Sequence, residues 1–411
     1  MTAPARGPTV DVVALNAYVG RQAIFDRELR VVGYELLYRD SDENRARFSN
    51  ADQATAATML NAYVEHGLDQ LVGNLPVYVN LPASFLLGAN PIPLPPDRTV
   101  IEVLEDVPVT PALIEALRGF RQRGFRIALD DFILTDETRA LVPRADIVKV
   151  DVLGVPVDEI RAQYAALRPI CRTLLAEKIS THEEHELLHG MGFELFQGHF
   201  LQLPIIAKTQ RMPHNRAALL QLLAKLYDPT VDLRGIERLV SSEVGLTVRL
   251  LRLASSAMLS RDVAIGTVGQ AIARVGTQQV AALVVLIMLA GFDDKPLELG
   301  RQALIRARMC EALARASGVV ADQLFTAGLL SLLDAILDRP LAELLLQLPV
   351  TALIRDALGT AETPASRIVE ATRGHDRGDF ARVAATGLSA DTVFAAWSDA
   401  VRWADELIAL L

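Results

Sequence analysis

A chain of 411 residues is too long for one ordinary hydrophobic core, so the sequence predicts at least two domains. The net charge of −9 argues against a global attraction to nucleic acid or anionic membranes, so neither DNA nor a membrane is expected as a partner. With 51% hydrophobic and 22% charged residues, the composition is typical of a globular protein.

The first half of the chain alternates β-branched runs with stretches of helical periodicity. Asp26-Arg27-Glu28 joins the first two strands as a hairpin loop, whereas the other strands follow a strand–helix–strand rhythm that implies parallel pairing. We therefore predict an α/β fold, a (β/α)8-like barrel with an antiparallel first strand, with a doubly wound open sheet as the alternative. The predicted strands are Tyr18–Phe25, Val31–Tyr38, Val77–Leu81, Thr99–Leu104, Arg126–Asp130, Ile147–Val152, Thr173–Ile179 and Leu195–Leu201; the predicted helices are Asp52–Leu71, Pro111–Arg123, Pro156–Arg168 and His182–His189.

After Pro204 the pattern changes to consecutive amphipathic helices, so the second half is predicted to be all-α. We divide the chain into a flexible tail at residues 1–10, a barrel domain at 11–205 and a helical domain at 206–411. The predicted helices are Asn215–Tyr227, Leu233–Ser241, Leu246–Ser256, Val268–Val275, Gln279–Phe292, Leu297–Ser317, Ala321–Leu337, Ala342–Gln347 and Ala390–Leu411.

The same patterns bear on where the protein works. The longest apolar run, Val280–Phe292, is too short to span a bilayer and is expected to be a buried core helix. The first ten residues lack the pattern of a signal peptide. Cys171 and Cys310 both lie in apolar surroundings and are expected to be reduced, buried thiols, so a cytoplasmic protein is predicted.

Polar residues interrupt the apolar strands near their carboxyl ends, which meet at one mouth of a barrel. Buried carboxylates are costly unless they are paired or bound to a metal, so their convergence favours a site with oxygen ligands over scattered structural polar groups. Mg²⁺, Mn²⁺ or Ca²⁺ would suit such a site, and a two-metal cluster would suit a phosphodiester substrate. The residues concerned are Glu35, Asn80, Glu102, Asp130, Asp131, Lys149, Asp151, Glu177 and Gln197.

At this point the sequence resembles a known family. Glu35-Leu36-Leu37-Tyr38-Arg39 is similar to the E-A/L-L-x-R signature of EAL-domain cyclic-di-GMP phosphodiesterases. The resemblance covers roughly residues 15–205. The later pieces follow in family order, namely Asn80, Glu102-x-x-Glu105, Asp130-Asp131-Phe132, Lys149-x-Asp151, Ala176-Glu177 and Gln197-Gly198.

The resemblance implies a role for each matching residue. Glu35, Asn80, Glu102 and Asp130 would ligate one metal and Asp131 a second, with Mg²⁺ or Mn²⁺ as the cofactor. Lys149 would help place the nucleophilic water, and Glu177 would be a supporting catalytic carboxylate. The residues expected to contact cyclic di-GMP are Glu35, Leu37, Arg39 and Gln197.

The sequence departs from the family in two places. The family continues its Asp-Asp-Phe with Gly-Thr-Gly, whereas this chain has Ile133-Leu134-Thr135, whose side chains resist the backbone geometry that glycine allows. The family's Ala-Glu-Gly-Val-Glu is Ala-Glu-Lys178-Ile-Ser180 here. Losing a carboxylate and gaining a cation should weaken metal binding, so we predict an EAL fold with impaired or absent catalysis.

The helical half resembles the HDOD family over about residues 210–290, with Ser255 where the family usually has Asn. HDOD domains are related to HD-type phosphohydrolases, and Ser331-Leu332 stand where active relatives carry a His-Asp doublet. The resemblance implies a domain without a metal that contacts a protein partner, and the charged helix Leu297–Ser317 is the candidate surface.

The remaining histidines have simple explanations in the sequence. His375-Asp376 lies in polar, glycine-rich text and is predicted to be a chance pair on the surface. His182, His185 and His189 have a spacing that suits zinc, but a solvated helix face is the preferred interpretation.

Three hypotheses follow. The first is a bacterial signalling protein of cyclic-di-GMP pathways, in which an impaired EAL receptor or scaffold precedes an HDOD interaction module. The second is an active, metal-dependent phosphodiesterase that converts cyclic di-GMP to pGpG. The third is another barrel enzyme or an adaptor without a nucleotide. The EAL resemblance also allows a homodimer.

Overall fold

The computed structural model describes residues 17–40, 68–88, 92, 94–204, 214–228, 230–241, 247–248, 250–251, 254, 267–289, 292 and 295–409. The predicted tail at residues 1–10, most of the predicted helix Asp52–Leu71 and much of Leu246–Ser256 lie outside these residues.

The first half forms a closed barrel whose strands are neighbours in chain order. The first strand pairs antiparallel with the second and the eighth, and the other neighbours pair in parallel. The predicted barrel is therefore confirmed, and its closure excludes the open sheet. The strands are β1 (Ala17–Phe25), β2 (Val31–Asp40), β3 (Val77–Leu81), β4 (Thr99–Val103), β5 (Arg126–Leu129), β6 (Ile147–Asp151), β7 (Leu174–Ile179) and β8 (Leu195–Gly198).

The antiparallel pair results from the tight turn between β1 and β2. Asp26 Oδ1 accepts hydrogen bonds from the backbone N–H groups of Glu28 at 3.0 Å and Arg30 at 2.9 Å. Because a carboxylate that binds the backbone in this way favours immediate chain reversal, no crossover helix separates the two strands. The barrel therefore supplies no helix of its own between β1 and β2.

The later connections contain α-helices, except that two short 3-10 helices, Thr138–Ala140 and Val142–Arg144, lie between β5 and β6. The α-helices are α1 (Leu68–Val72), α2 (Ala83–Leu87), α3 (Pro111–Gln122), α4 (Val157–Leu167) and α5 (His182–Met191). Thr181 and Glu184 form a reciprocal capping box that begins α5. The His185 ring stacks on Phe200 with centroids 4.6 Å apart, and burial lowers the pKa of His185 to about 4. The predicted solvated face is therefore wrong for His185, which packs against the end of the barrel.

All regular secondary structure in the described part of the second half is helical. The long apolar run lies in the ninth helix, where Val280 to Leu286 are all buried, as predicted. The predicted helix Ala321–Leu337 is two helices, interrupted at Ser331 and Leu332. The helices are α6 (His214–Tyr227), α7 (Leu233–Ser241), α8 (Val268–Val275), α9 (Thr277–Leu289), α10 (Leu297–Ser317), α11 (Ala321–Leu330), α12 (Leu333–Leu337), α13 (Leu341–Leu346), α14 (Ala352–Leu358), α15 (Pro364–Asp376), α16 (Phe380–Ala385) and α17 (Ala390–Ile408).

No single helix of the described residues is long and apolar enough to cross a membrane. Helices α8 and α9 reach that length and composition only as a pair, and they are bent by 105° with respect to each other.

The helical half covers the β1–β2 side of the barrel. Helices α17 and α15 pack against β1, and the turn after α15 comes so close to β2 that a Cβ on Gly378 would lie 2.7 Å from Leu37 Cδ1. The Tyr34 hydroxyl of β2 donates a hydrogen bond to Glu298 of α10 at 3.1 Å and accepts one from Arg301 at 2.7 Å. The helical half thus supplies the layer that the hairpin leaves out.

His375 is buried and Asp376 is half-buried, so the prediction of a surface pair is wrong. His375 is 3% exposed and its ring contacts Phe380 and Trp397. Asp376 Oδ2 accepts a hydrogen bond of 2.7 Å from Arg306 Nε, an arginine that is 2% exposed. The glycine-rich sequence predicted a loop, whereas these two residues end α15 and are enclosed by the barrel and the neighbouring helices.

Helix α10 was also expected to show a charged face to a partner protein. Its buried charged residues are instead used within the chain. Glu298 and Arg301 reach β2, and Arg306 Nη2 donates to Gln202 after β8 at 2.8 Å. The partner of this face is therefore the barrel.

Candidate active site at the barrel mouth

The predicted polar residues come together because each lies inside a barrel strand or within two residues after its carboxyl end. Asn80 of β3 lies opposite Glu102 of β4, and Asp151 of β6 lies opposite Glu177 of β7. Parallel pairing keeps these ends level, so side chains far apart in sequence converge at one mouth.

Lys149 occupies the point of convergence. Its side chain is 1% exposed, and its Nζ contacts the four carboxylates that we call the inner carboxylates. The distances are 3.1 Å to Glu35 Oε2, 2.9 Å to Glu102 Oε1, 2.5 Å to Asp130 Oδ1 and 3.0 Å to Glu177 Oε2. One buried ammonium thus holds together carboxylates from four different parts of the chain.

Amide side chains orient Glu35 further. Asn80 Nδ2 donates to Glu35 Oε1 at 2.8 Å, and Gln197 Nε2 donates to Glu35 Oε2 at 2.7 Å. Gln197 Nε2 also lies 3.0 Å from Gln22 Oε1 of β1. Gln22 was not among the predicted site residues, because in the sequence it is a single polar residue within an apolar strand.

The inner carboxylates carry more negative charge than one ammonium neutralises. Burial would lower the pKa of Lys149, but attraction to Glu102 and Glu35 raises it well above its usual value, so Lys149 stays charged. Burial raises the pKa of Glu102 well above its usual range, that of Asp130 to about 6 and that of Glu177 to about 8. The site is therefore short of positive charge.

The donor set fits a divalent cation with oxygen ligands. Asn80 Oδ1 and Glu102 Oε2 are buried and accept no hydrogen bond, which is costly unless a cation binds them. Glu35, Asn80, Glu102 and Asp130 supply the hard oxygen donors that Mg²⁺ or Mn²⁺ prefers. In the described residues no three acidic, His or Cys side chains already surround a common metal position, and a cation would have to displace the Lys149 ammonium from their centre.

A second cluster lies beside the first. Lys178 Nζ lies 2.7 Å from Asp131 Oδ1 and 2.7 Å from Asp151 Oδ2, and we call Asp131 and Asp151 the outer pair. Burial alone would raise the pKa of Asp131, but the hydrogen bonds from Lys178 and Glu177 and the positive charges of Lys178 and Lys149 together lower this pKa. The carboxylate predicted to ligate a second metal is thus bound by a lysine.

The backbone explains how Lys178 reaches the outer pair. The β7–β8 register shifts between Ala176 and Ile179, and Lys178 adopts φ 60°, a left-handed conformation that glycine adopts at no cost. This is the position where the EAL pattern has glycine. The lysine keeps that backbone conformation and adds a cation to the mouth.

The loop after β5 is also held in place. Phe132 is buried, and its carbonyl accepts a hydrogen bond of 2.6 Å from Gln163 Nε2. Thr135 and Thr138 each bind the other's backbone N–H through their hydroxyl groups. Ile133, which follows Phe132, is 70% exposed. Side-chain hydrogen bonds here fix a loop that the family builds from glycine.

Two residues predicted to contact the nucleotide need separate mention. Leu37 lies against Gly378 of the helical half. The side chain of Arg39 lies outside the described residues. Both remain predictions.

In the helical half, an arginine lies beside Ser331 and Leu332, which stand where active HD-type relatives carry a His-Asp doublet. Ser331 Oγ donates to the Gly328 carbonyl at 2.7 Å and accepts from Arg306 Nη1 at 3.3 Å. Gly328 lies against the backbone of α10, where a Cβ would be 2.4 Å from the Arg306 carbonyl oxygen. A guanidinium group beside Ser331 opposes the binding of a cation.

Comparisons with known proteins identify a matching domain family, related sequences and similar structures. The HDOD domain family matches residues 212–338. The chain is 29% identical over 420 aligned positions to the cyclic di-GMP phosphodiesterase CdgJ of Vibrio cholerae, covering 99% of this chain and 97% of CdgJ. A solved structure of Klebsiella pneumoniae BlrP1, a manganese and cyclic-di-GMP complex, is 23% identical with a TM-score of 0.37, covering 46% of this chain and 55% of that one.

The uncharacterized protein YuxH of Bacillus subtilis is 30% identical over 359 residues, which cover 84% of this chain and 86% of YuxH. The chain therefore belongs to the same family as YuxH, and it combines an EAL-type barrel with an HDOD domain.

Proposed function

We propose that this protein is a signalling protein that binds cyclic di-GMP at the barrel mouth and hydrolyses it poorly or not at all. The observation that carries the proposal is the convergence of the inner carboxylates, Asn80 and Gln197 at that mouth, in a chain similar over almost its whole length to a protein named as a cyclic di-GMP phosphodiesterase. The HDOD domain would be the part that contacts a protein partner.

The inner site supports binding. Glu35, Asn80, Glu102 and Asp130 would hold one divalent cation, which when bound would polarise a phosphodiester oxygen. Gln197 fixes the orientation of Glu35 through a hydrogen bond of 2.7 Å. Cyclic di-GMP contains two phosphodiester groups with one negative charge each. These charges would add to the excess negative charge of the inner carboxylates, so we expect nucleotide binding to require the cation.

The outer site opposes hydrolysis. A divalent cation on Asp131 and Asp151 would neutralise their two charges, whereas the single charge of Lys178 leaves the group at −1. Residual negative charge disfavours the extra charge that develops as a phosphodiester is cleaved. The fixed loop at Ile133 acts in the same direction, because it cannot adopt the glycine geometry of the family.

Calorimetric titration with cyclic di-GMP, in Mn²⁺ and then in chelator, followed by chromatography of the recovered nucleotide, tests the proposal. We expect binding in Mn²⁺ with the nucleotide recovered intact. Recovery of pGpG over many turnovers would instead establish an active phosphodiesterase, and no binding under either condition would leave the barrel as a scaffold.

A substitution at Glu35 tests whether cyclic di-GMP binds at the barrel mouth and not elsewhere on the surface. Glu35→Gln should weaken binding at least about tenfold, equivalent to about 1.4 kcal/mol, because it removes one cation ligand. The matched control is Glu115→Gln, an exposed carboxylate on α3 that belongs to none of the matching motifs. Equal losses in both variants would contradict a specific role for Glu35.

A further inference from the structure

The outer pair binds the ammonium group of Lys178 at a position where a divalent cation could otherwise bind. Lys178 Nζ lies within 2.9 Å of both Asp131 carboxylate oxygens and 2.7 Å from Asp151 Oδ2. Two carboxylates, one of which was predicted to ligate a second metal, are therefore bridged by an ammonium group. The side chain of Lys178 is 42% exposed, so this cation is open to the mouth.

We propose that Lys178 is a resident cation that replaces a second divalent ion and binds a non-bridging oxygen of the nucleotide's phosphodiester. The proposal rests on the proposed function for the identity of the ligand, but not for the replacement of the ion. It assigns a binding role to a residue that has no counterpart in the EAL pattern.

The chemistry of the ammonium group supports this role. An ammonium group has three N–H donors, and Lys178 directs them at both oxygens of Asp131 and at Asp151 Oδ2. The longest of the three bonds, 2.9 Å to Asp131 Oδ2, is the one that an anionic oxygen at the exposed side would replace, and one bond to each carboxylate would remain. Lysine binds phosphate as a compact point charge, so it can attract the ligand without activating a water molecule as a metal ion does.

The backbone at Lys178 makes the replacement easy to reverse. Its φ of 60° is a left-handed conformation that is unfavourable for residues with a Cβ and costs glycine nothing. Lys178→Gly should therefore fold at least as well as the wild type while it frees both carboxylates of the outer pair. Lys178→Met removes the charge but keeps the length of the chain, and Lys178→Arg keeps the charge.

The first measurement is the number of Mn²⁺ ions bound per chain, from the free-ion signal in electron paramagnetic resonance. We expect one ion in the wild type and in Lys178→Arg, and two in Lys178→Gly. The same number in the wild type and Lys178→Gly would overturn the replacement. This count does not depend on the nucleotide.

The second measurement is calorimetric titration with cyclic di-GMP in Mn²⁺. Lys178→Met should bind at least tenfold more weakly than the wild type, and Lys178→Arg should bind within threefold of it. Equal affinity in Lys178→Met and the wild type would overturn the contact with phosphate. If the wild type binds no nucleotide, the proposed function fails, and the ion count alone decides whether Lys178 is the resident cation.

Discussion

Replacing Lys149 by Met should destabilise the protein by about 3–5 kcal/mol when a chelator has removed divalent cations. Met has a similar length and fits a buried position, so the main change is the loss of charge. In the wild type, four carboxylates lie within 3.1 Å of Lys149 Nζ. Without the ammonium group they would be buried beside one another with nothing to offset their repulsion.

Addition of Mn²⁺ should recover much of this loss, because the cation would supply the missing charge without competition from Lys149. Urea unfolding with and without Mn²⁺ measures both effects, and the stabilisation by Mn²⁺ should be larger in the variant than in the wild type. Lys225→Met, at an exposed position on α6, is the control. Unchanged stability of Lys149→Met in chelator would show that the inner carboxylates do not depend on this lysine.

The sequence predicts the barrel and its mouth well because both follow from short-range rules. Strand–helix alternation implies parallel pairing, and parallel pairing brings the carboxyl ends of the strands together. Glu35, Glu102, Asp130, Lys149 and Glu177 therefore meet as their positions in the strands require. Their roles toward a metal and a nucleotide remain predictions.

The outer pair was beyond sequence reasoning for a geometric reason. The sequence shows that a lysine stands in place of a glycine, but not where the lysine points. Its direction depends on the register shift in β7 and on the left-handed backbone at Lys178. The lysine thus reaches Asp131 and Asp151, whose positions are set by two other strands.

The contacts between the two halves were missed because helical periodicity shows that a face is buried but not what buries it. Charged residues on α10, such as Glu298 and Arg301, look solvent-exposed in sequence. They are buried because the β1–β2 hairpin brings no helix of its own, and the helical half covers that side of the barrel. His375 is buried for the same reason, against β1 and α17.

The contact between Tyr34 and Glu298 joins the helical half to the strand that carries Glu35. Successive residues of a strand point to opposite faces, so Glu35 faces the barrel interior while Tyr34 faces α10. Burial raises the pKa of Glu298 to about 7, although Arg21 and the hydrogen bond from Tyr34 act in the opposite direction. The negative charges of Asp405 and Asp376 raise it further.

This raised pKa predicts a dependence of stability on pH. A carboxyl group with a higher pKa in the folded state binds its proton more tightly when folded. Its contribution to stability is therefore complete below the unfolded value, about 4.5, and is lost as pH rises through about 7. The full contribution of Glu298 is about 3 kcal/mol.

Glu298→Gln should abolish this contribution, because the amide stays neutral and its oxygen can still accept the hydrogen bond from Tyr34. The difference in unfolding free energy between the variant and the wild type should grow in favour of the variant by about 3 kcal/mol from pH 5 to pH 8. Urea unfolding at several pH values measures it, with Glu343→Gln, an exposed carboxylate on α13, as the control. Parallel curves for Glu298→Gln and the wild type would mean that Glu298 titrates as it does in the unfolded chain. Curves that converge toward low pH would instead show that Glu298, at the junction between the barrel and the HDOD domain, holds a proton near neutral pH. Its hydrogen-bond partner Tyr34 is the neighbour of Glu35 in β2.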